Sequence, residues 1–238
     1  MNTKHFYITN NEIRVPAVLW GEPASKLLIE VHGNLSNKED TVISMMAERA
    51  VQKGYQALSF DLPKHGERAN EAYACNPWNC VSDLTAVFEF ARSLSPDISL
   101  FACSMGAYFS LLAYHNFDIK QSLFLSPVVN MERIIQNMMK GFQVNEERLK
   151  KERQIFLPIG QTLDWDYYSY VRDNPVCDWN IPTAILYGSD DNVTAWIELS
   201  AFSEKYSATV KVLEQGEHYF HTEEQLRVFD AWADENLL

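Results

Sequence analysis

FACSMGAYF, residues 101–109, sets a single serine between a short apolar run and a small-residue turn. ISLFACS (98–104) has the length and apolar continuity of a buried strand. MGAYFSLLAYH, which follows, has the composition of a helix. Ser104 therefore sits at a strand-to-helix junction, where serine serves either as a helix cap or as an exposed nucleophile. Ala102 and Gly106 flank it two residues away on each side, so strand and helix can approach across the turn. The pattern is one residue from G-x-S-x-G, with Ala102 in place of the first glycine. Such a short motif decides nothing alone, and its meaning rests on what the chain places around it.

The same alternation runs through most of the sequence. KLLIEVHG (26–33), YQALSFDLP (55–63), SLFLSPV (122–128), TAILYGSDD (183–191) and TVKVLEQG (209–216) read as further short strands bounded by Gly, Pro, Asp or Ser. Near-continuous apolar runs suit parallel strands covered by helices on both faces. Helical patterns fall between them: one from a capping box at Ser36–Glu39 to about Gln52, then 81–94, 195–206, and a last one from a capping box at Thr222–Gln225. The opening segment reads as an antiparallel hairpin. From Val129 to Asn180 the rhythm breaks, and a structureless loop of that length is implausible in a compact domain. The expected architecture is a doubly wound, mostly parallel α/β sheet. Its core is 1–128 with 181–238, and 129–180 is a mainly helical cap insertion.

Composition narrows the function. With 238 residues, 47% hydrophobic and 22% charged, the chain falls among ordinary globular proteins. A net charge of −12 disfavours nucleic acid and anionic membranes as partners. The opening MNTKHFYITNNEIRVP lacks the apolar stretch of a signal peptide, and no span of membrane length occurs, so a cytoplasmic location is expected. Cys75, Cys80, Cys103 and Cys177 match no common zinc or redox spacing and read as reduced thiols. No metal or cofactor is expected.

In doubly wound sheets the site lies beyond the carboxyl ends of the strands. Four of the strands end in residues with chemical capacity: His32-Gly33-Asn34, Ser104, Asp190-Asp191, and His218 after the last strand. With EVHGNLSN (30–37), FDLPKHGER (60–68), ACSMGA (102–107), YGSDDNV (187–193) and GEHYF (216–220), in the order Ser, acid, His, the chain resembles the α/β-hydrolase superfamily over nearly its whole length. The insertion at 129–180 falls where that superfamily often carries a lid.

The resemblance implies Ser104 as nucleophile, His218 as base and Asp191 as the acid that orients the base. Asp191 stands at the family's G-x-x-D spacing from Gly188; Asp190 is the competing carboxylate and His221 the competing base. The backbone N–H groups of Asn34 and Met105 would form the oxyanion hole. His32, Trp165 and Tyr168 are candidates for the substrate pocket, although an HG-turn histidine also serves as a structural hydrogen-bonding residue. His65 in the PKHG turn reads as structural, and Cys103 as a packing residue. The implied activity is a serine hydrolase cleaving a small carboxylic ester or related acyl compound, in a monomer or homodimer. An amide or peptide hydrolase, a thioesterase and a catalytically silent small-ligand binder are the alternatives.

Overall fold

The computed structural model describes residues 1–238. The chain separates into two units, Met1–Val129 with Asp178–Leu238, and Asn130–Cys177.

The first unit begins with β1 (Thr3–Asn10) and β2 (Ile13–Trp20), the expected hairpin. It continues through β3 (Lys26–Val31), α1 (Thr41–Gln52), β4 (Tyr55–Phe60), α2 (Pro77–Leu94), β5 (Asp97–Cys103), α3 (Ser104–Tyr114) and β6 (Ser122–Leu125). The second unit holds α4 (Met131–Gly141), α5 (Glu146–Glu152), β7 (Gln154–Phe156), β8 (Thr162–Asp164) and α6 (Trp165–Asp173). The chain then returns to the first unit with β9 (Thr183–Gly188), α7 (Trp196–Tyr206), β10 (Thr209–Leu213) and α8 (Glu223–Asn236).

Eight strands form one sheet in the order β1-β2-β4-β3-β5-β6-β9-β10. Only β2 breaks its parallel direction, running antiparallel to both β1 and β4. The central strands β4 and β5 are almost wholly buried, which accounts for their largely apolar sequences. On one face, Ile43 and Met46 of α1 and Phe229 and Trp232 of α8 pack with Leu28, Phe101 and Leu186 of the sheet. On the other face, α2 and α3 lie together, with the Tyr114 hydroxyl donating to Leu84 O at 2.9 Å. From β3 the chain crosses to β4 on one side, and from β4 it returns past β3 to β5 on the other. That reversal opens a crevice at the carboxyl ends of β3 and β5.

Two helix starts differ from the sequence reading. The capping box expected at Ser36 is absent: α1 starts at Thr41, and its Asp40 side chain caps the Thr41 N–H. The preceding residues are held in a turn by a distant group, because the Lys38 N–H donates to Asp61 Oδ1 at 2.9 Å. The helix expected at Val81 starts four residues earlier, at Pro77, capped by Asn76. Proline at the first helical position after an asparagine cap is a favoured start. The capping box at Thr222 and Gln225 is present as expected.

The second unit is mainly helical, with α4, α5 and α6. The antiparallel pair β7–β8 was not legible, since three-residue strands carry too little periodicity. No helix of the chain is long and apolar enough to cross a membrane.

Candidate active site

Ser104 is the first residue of α3 and directly follows β5, with φ at +47°. This left-handed conformation is costly for any residue with a side chain, and such strain concentrates at functional turns. The turn is made possible by Gly106. A Cβ there would lie 2.3 Å from His32 O and 2.7 Å from Val31 O, so no side chain fits. Ala102, by contrast, lies within the sheet between Val31 and Phe124 and is fully buried without strain on the turn. The glycine missing from the motif is thus the one whose place a methyl can fill. Cys103 points into the core as expected, and burial pushes its thiol pKa well above the ordinary value.

The Ser104 hydroxyl lies 2.8 Å from His218 Nε2. On the opposite side of the ring, His218 Nδ1 is 2.7 Å from Asp191 Oδ2. The carboxylate fixes the proton on Nδ1 and leaves the Nε2 lone pair facing the serine. Asp191 is itself held: its Oδ1 accepts from the Val193 N–H at 2.8 Å and the Thr194 N–H at 2.9 Å, and its side chain is fully buried. Asp190 points elsewhere and accepts only from the adjacent Ser189 hydroxyl. His221 is half exposed and turns its Nδ1 to Tyr219 O. Geometry therefore separates both competing pairs.

The turns that carry Asp191 and His218 are drawn together by two glycines. A Cβ on Gly188 would lie 2.3 Å from Gly216 O. The Asp190 N–H donates to that same Gly216 O at 2.8 Å.

The loop after β3 lies against Ser104, since a Cβ on Gly33 would come within 3.1 Å of Ser104 Cβ. Asn34 follows in this loop and is exposed. Met105 is the second residue of α3, where an N–H has no acceptor inside its own helix. His32 is buried, with Nδ1 donating to Gly33 O at 2.7 Å and Nε2 accepting from the Leu62 N–H at 3.0 Å. Burial brings its pKa down to about 4, so the ring is neutral and both nitrogens are spent on the loop. That leaves neither for a ligand.

Trp165 and Tyr168 belong to α6 in the second unit. The Tyr168 hydroxyl donates to Glu146 Oε1 at 2.7 Å, and the guanidinium of Arg172 lies over both rings.

Sequence reasoning missed a supporting group. Asp61, at the end of β4 and fully buried, accepts from the Lys38 N–H at 2.9 Å, the Lys38 ammonium at 2.8 Å and the Glu67 N–H at 3.0 Å. Ser59 Oγ donates to Lys38 O at 2.6 Å. These bonds tie the loop bearing Asn34 to the loop after β4. The signal was present in FDLPKHGER: Gly66 adopts φ +51°, and a Cβ there would overlap the Asp61 carboxylate.

This sheet, its helical crossovers and its serine turn define the α/β-hydrolase fold, and the chain has that fold. Est1E from Butyrivibrio proteoclasticus, solved with ferulic acid bound, superimposes with a TM-score of 0.83 at 20% identity, over 98% of this chain and 97% of its own. The mouse alpha/beta hydrolase domain-containing protein 10 gives a TM-score of 0.80 at 13% identity, over 98% of both chains. The Pyrococcus furiosus esterase Pf2001 gives 0.69 at 20% identity, over 96% of this chain and 91% of its own. The chain matches no protein-family model and no curated protein.

Proposed function

We propose that the chain is a serine hydrolase that cleaves a carboxylic ester through an acyl-enzyme intermediate. The observation that carries this reading is the continuous array Ser104 Oγ–His218–Asp191, with contacts of 2.8 and 2.7 Å. Ser104 Oγ attacks the ester carbonyl while His218 Nε2 takes its proton. The imidazolium is stabilised by Asp191 and then protonates the leaving alcohol. The amides of Asn34 and Met105 receive the negative charge that develops on the carbonyl oxygen. Water, deprotonated by the same histidine, then releases the acid. Each proton in this cycle is carried by these residues and water.

The choice of esters is supported by the fold neighbours named as esterases, Est1E and Pf2001. The ferulic acid bound to Est1E is a hydroxycinnamic acid, which makes hydroxycinnamoyl esters a natural first substrate set. Hydrolysis of p-nitrophenyl esters of increasing acyl length, beside Ser104→Ala, tests the reading. Turnover by wild type and at least a ~10³-fold loss in a folded Ser104→Ala support it. Equal rates in the two proteins refute it, and faster turnover of amides or thioesters reassigns the bond that is cut.

A further inference from the structure

A second cluster of reactive groups lies in the segment between β4 and α2. Cys75 stands just ahead of α2 and Cys80 in its first turn, with their Sγ atoms 3.8 Å apart. Both are free thiols; Cys80 is buried, whereas Cys75 is partly exposed. The Cys80 thiol donates a hydrogen bond to Cys75, which outweighs burial and, with His65 alongside, brings the Cys75 thiol down to about 6. Burial pushes Cys80 upward. The pair thus divides into an accessible thiolate and a protonated partner behind it, the arrangement of an attacking and a resolving cysteine.

His65 links this pair to the loop beside the nucleophile. Its Nδ1–H donates to Pro63 O at 2.8 Å, and its Nε2 faces Asn34 Oδ1 at 3.1 Å. Burial opposes a charge on His65, but the Cys75 and Pro63 contacts outweigh it and raise its pKa. His65 therefore stands between Cys75, whose presence raises its pKa, and Asn34, to which its Nε2 is turned.

We propose that Cys75 and Cys80 form a peroxide-sensitive dithiol that closes to a disulfide and, through His65 and Asn34, controls the loop beside Ser104. The Cys75 thiolate attacks one oxygen of a hydroperoxide, breaking the O–O bond and giving a sulfenic acid and hydroxide (or alkoxide), which is protonated from solvent. The Cys80 sulfur then attacks the Cys75 sulfur. An S–S bond forms, the S–O bond breaks, and the Cys80 proton leaves in water. Two thiol sulfurs are oxidised and the peroxide is reduced. Closing the gap from 3.8 Å to the ~2.05 Å of a disulfide draws Cys75 away from His65 and removes its negative partner. His65 then loses the thiolate that raised its pKa, and its contact with Asn34 Oδ1 weakens.

The dithiol chemistry stands independently of the hydrolase reading, whereas its effect on turnover rests on that reading. The full chain is treated with hydrogen peroxide and then with dithiothreitol, and intact mass and ester hydrolysis are followed together. The expected result is loss of two hydrogen atoms, mapped to Cys75 and Cys80 by peptide mass and regained on reduction. Hydrolysis falls about tenfold with it and recovers, less than the ~10²–10³ expected for outright loss of an oxyanion donor. Cys80→Ser, or Cys80→Ala if the first does not fold, cannot lose the two hydrogens. Peroxide that oxidises the exposed Cys177 without producing this disulfide overturns the proposal. A disulfide that leaves the rate unchanged overturns the coupling to Ser104. If no state of the protein hydrolyses esters, the hydrolase reading fails, and the mass shift still decides the dithiol.

Discussion

At the residue scale, the proposed chemistry depends on which of two adjacent carboxylates faces His218. Asp191 does so with one oxygen while its other oxygen is held by two backbone amides, so the carboxylate cannot rotate away. Asp190 instead supports its turn, with its N–H on Gly216 O. Replacing Asp191 by Asn keeps the shape but presents an amide that can force the wrong tautomer on His218. The expected loss is about 10⁴-fold in kcat. Asp190→Asn, at an exposed site outside the array, is expected to change kcat by about twofold at most. Steady-state kinetics on the two variants separate them, and a larger loss in Asp190→Asn would exchange their roles.

At the element scale, the strand–turn–helix β5–α3 works because α3 approaches the backbone of β3 at Gly106. Gly106→Ala sets a methyl against two carbonyl oxygens and should cost about 3 kcal/mol, read by urea denaturation. Ala102→Gly restores the fuller motif and should do little: about 0.5–1 kcal/mol is lost from a strand, with turnover unchanged. A large gain in kcat from Ala102→Gly would mean that the turn is compromised as it stands. These elements also show what was legible. Strands and the reactive residues at their ends could be read because a parallel sheet delivers its loops to one edge, where the resemblance places its Ser, acid and His in that order. The start of α1 could not be read, because Lys38 answers to Asp61, 23 residues away, rather than to its neighbours. The start of α2 was written in Asn76-Pro77, a local signal that the apolar stripe from Val81 outweighed. The preference for Asp191 over Asp190 comes from the G-x-x-D spacing that the resemblance implies, and the structure adds the direction of its side chain toward His218.

At the scale of the whole molecule, a buried carboxyl makes stability depend on pH. Glu30, in β3, is fully buried, and neither of its carboxyl oxygens has a hydrogen-bond partner. Burial raises its pKa well above the ordinary carboxylate value. In the folded state it keeps its proton at pH values where the unfolded chain has lost it. Stability is therefore fullest below the unfolded carboxylate pKa and declines as pH rises through the folded one. Glu30→Gln should flatten that decline and make the protein more stable than wild type at alkaline pH. Urea midpoints measured across the neutral and alkaline range check this, and parallel curves for the two proteins would refute it. The central claim, however, is that Ser104 is an activated nucleophile. Intact mass after incubation with a fluorophosphonate tests it most directly. The account predicts a single adduct on wild type, mapped to Ser104, and none on folded Ser104→Ala. A folded wild-type protein that takes no adduct, or an equal adduct on Ser104→Ala, would contradict it and favour a silent ligand-binding protein.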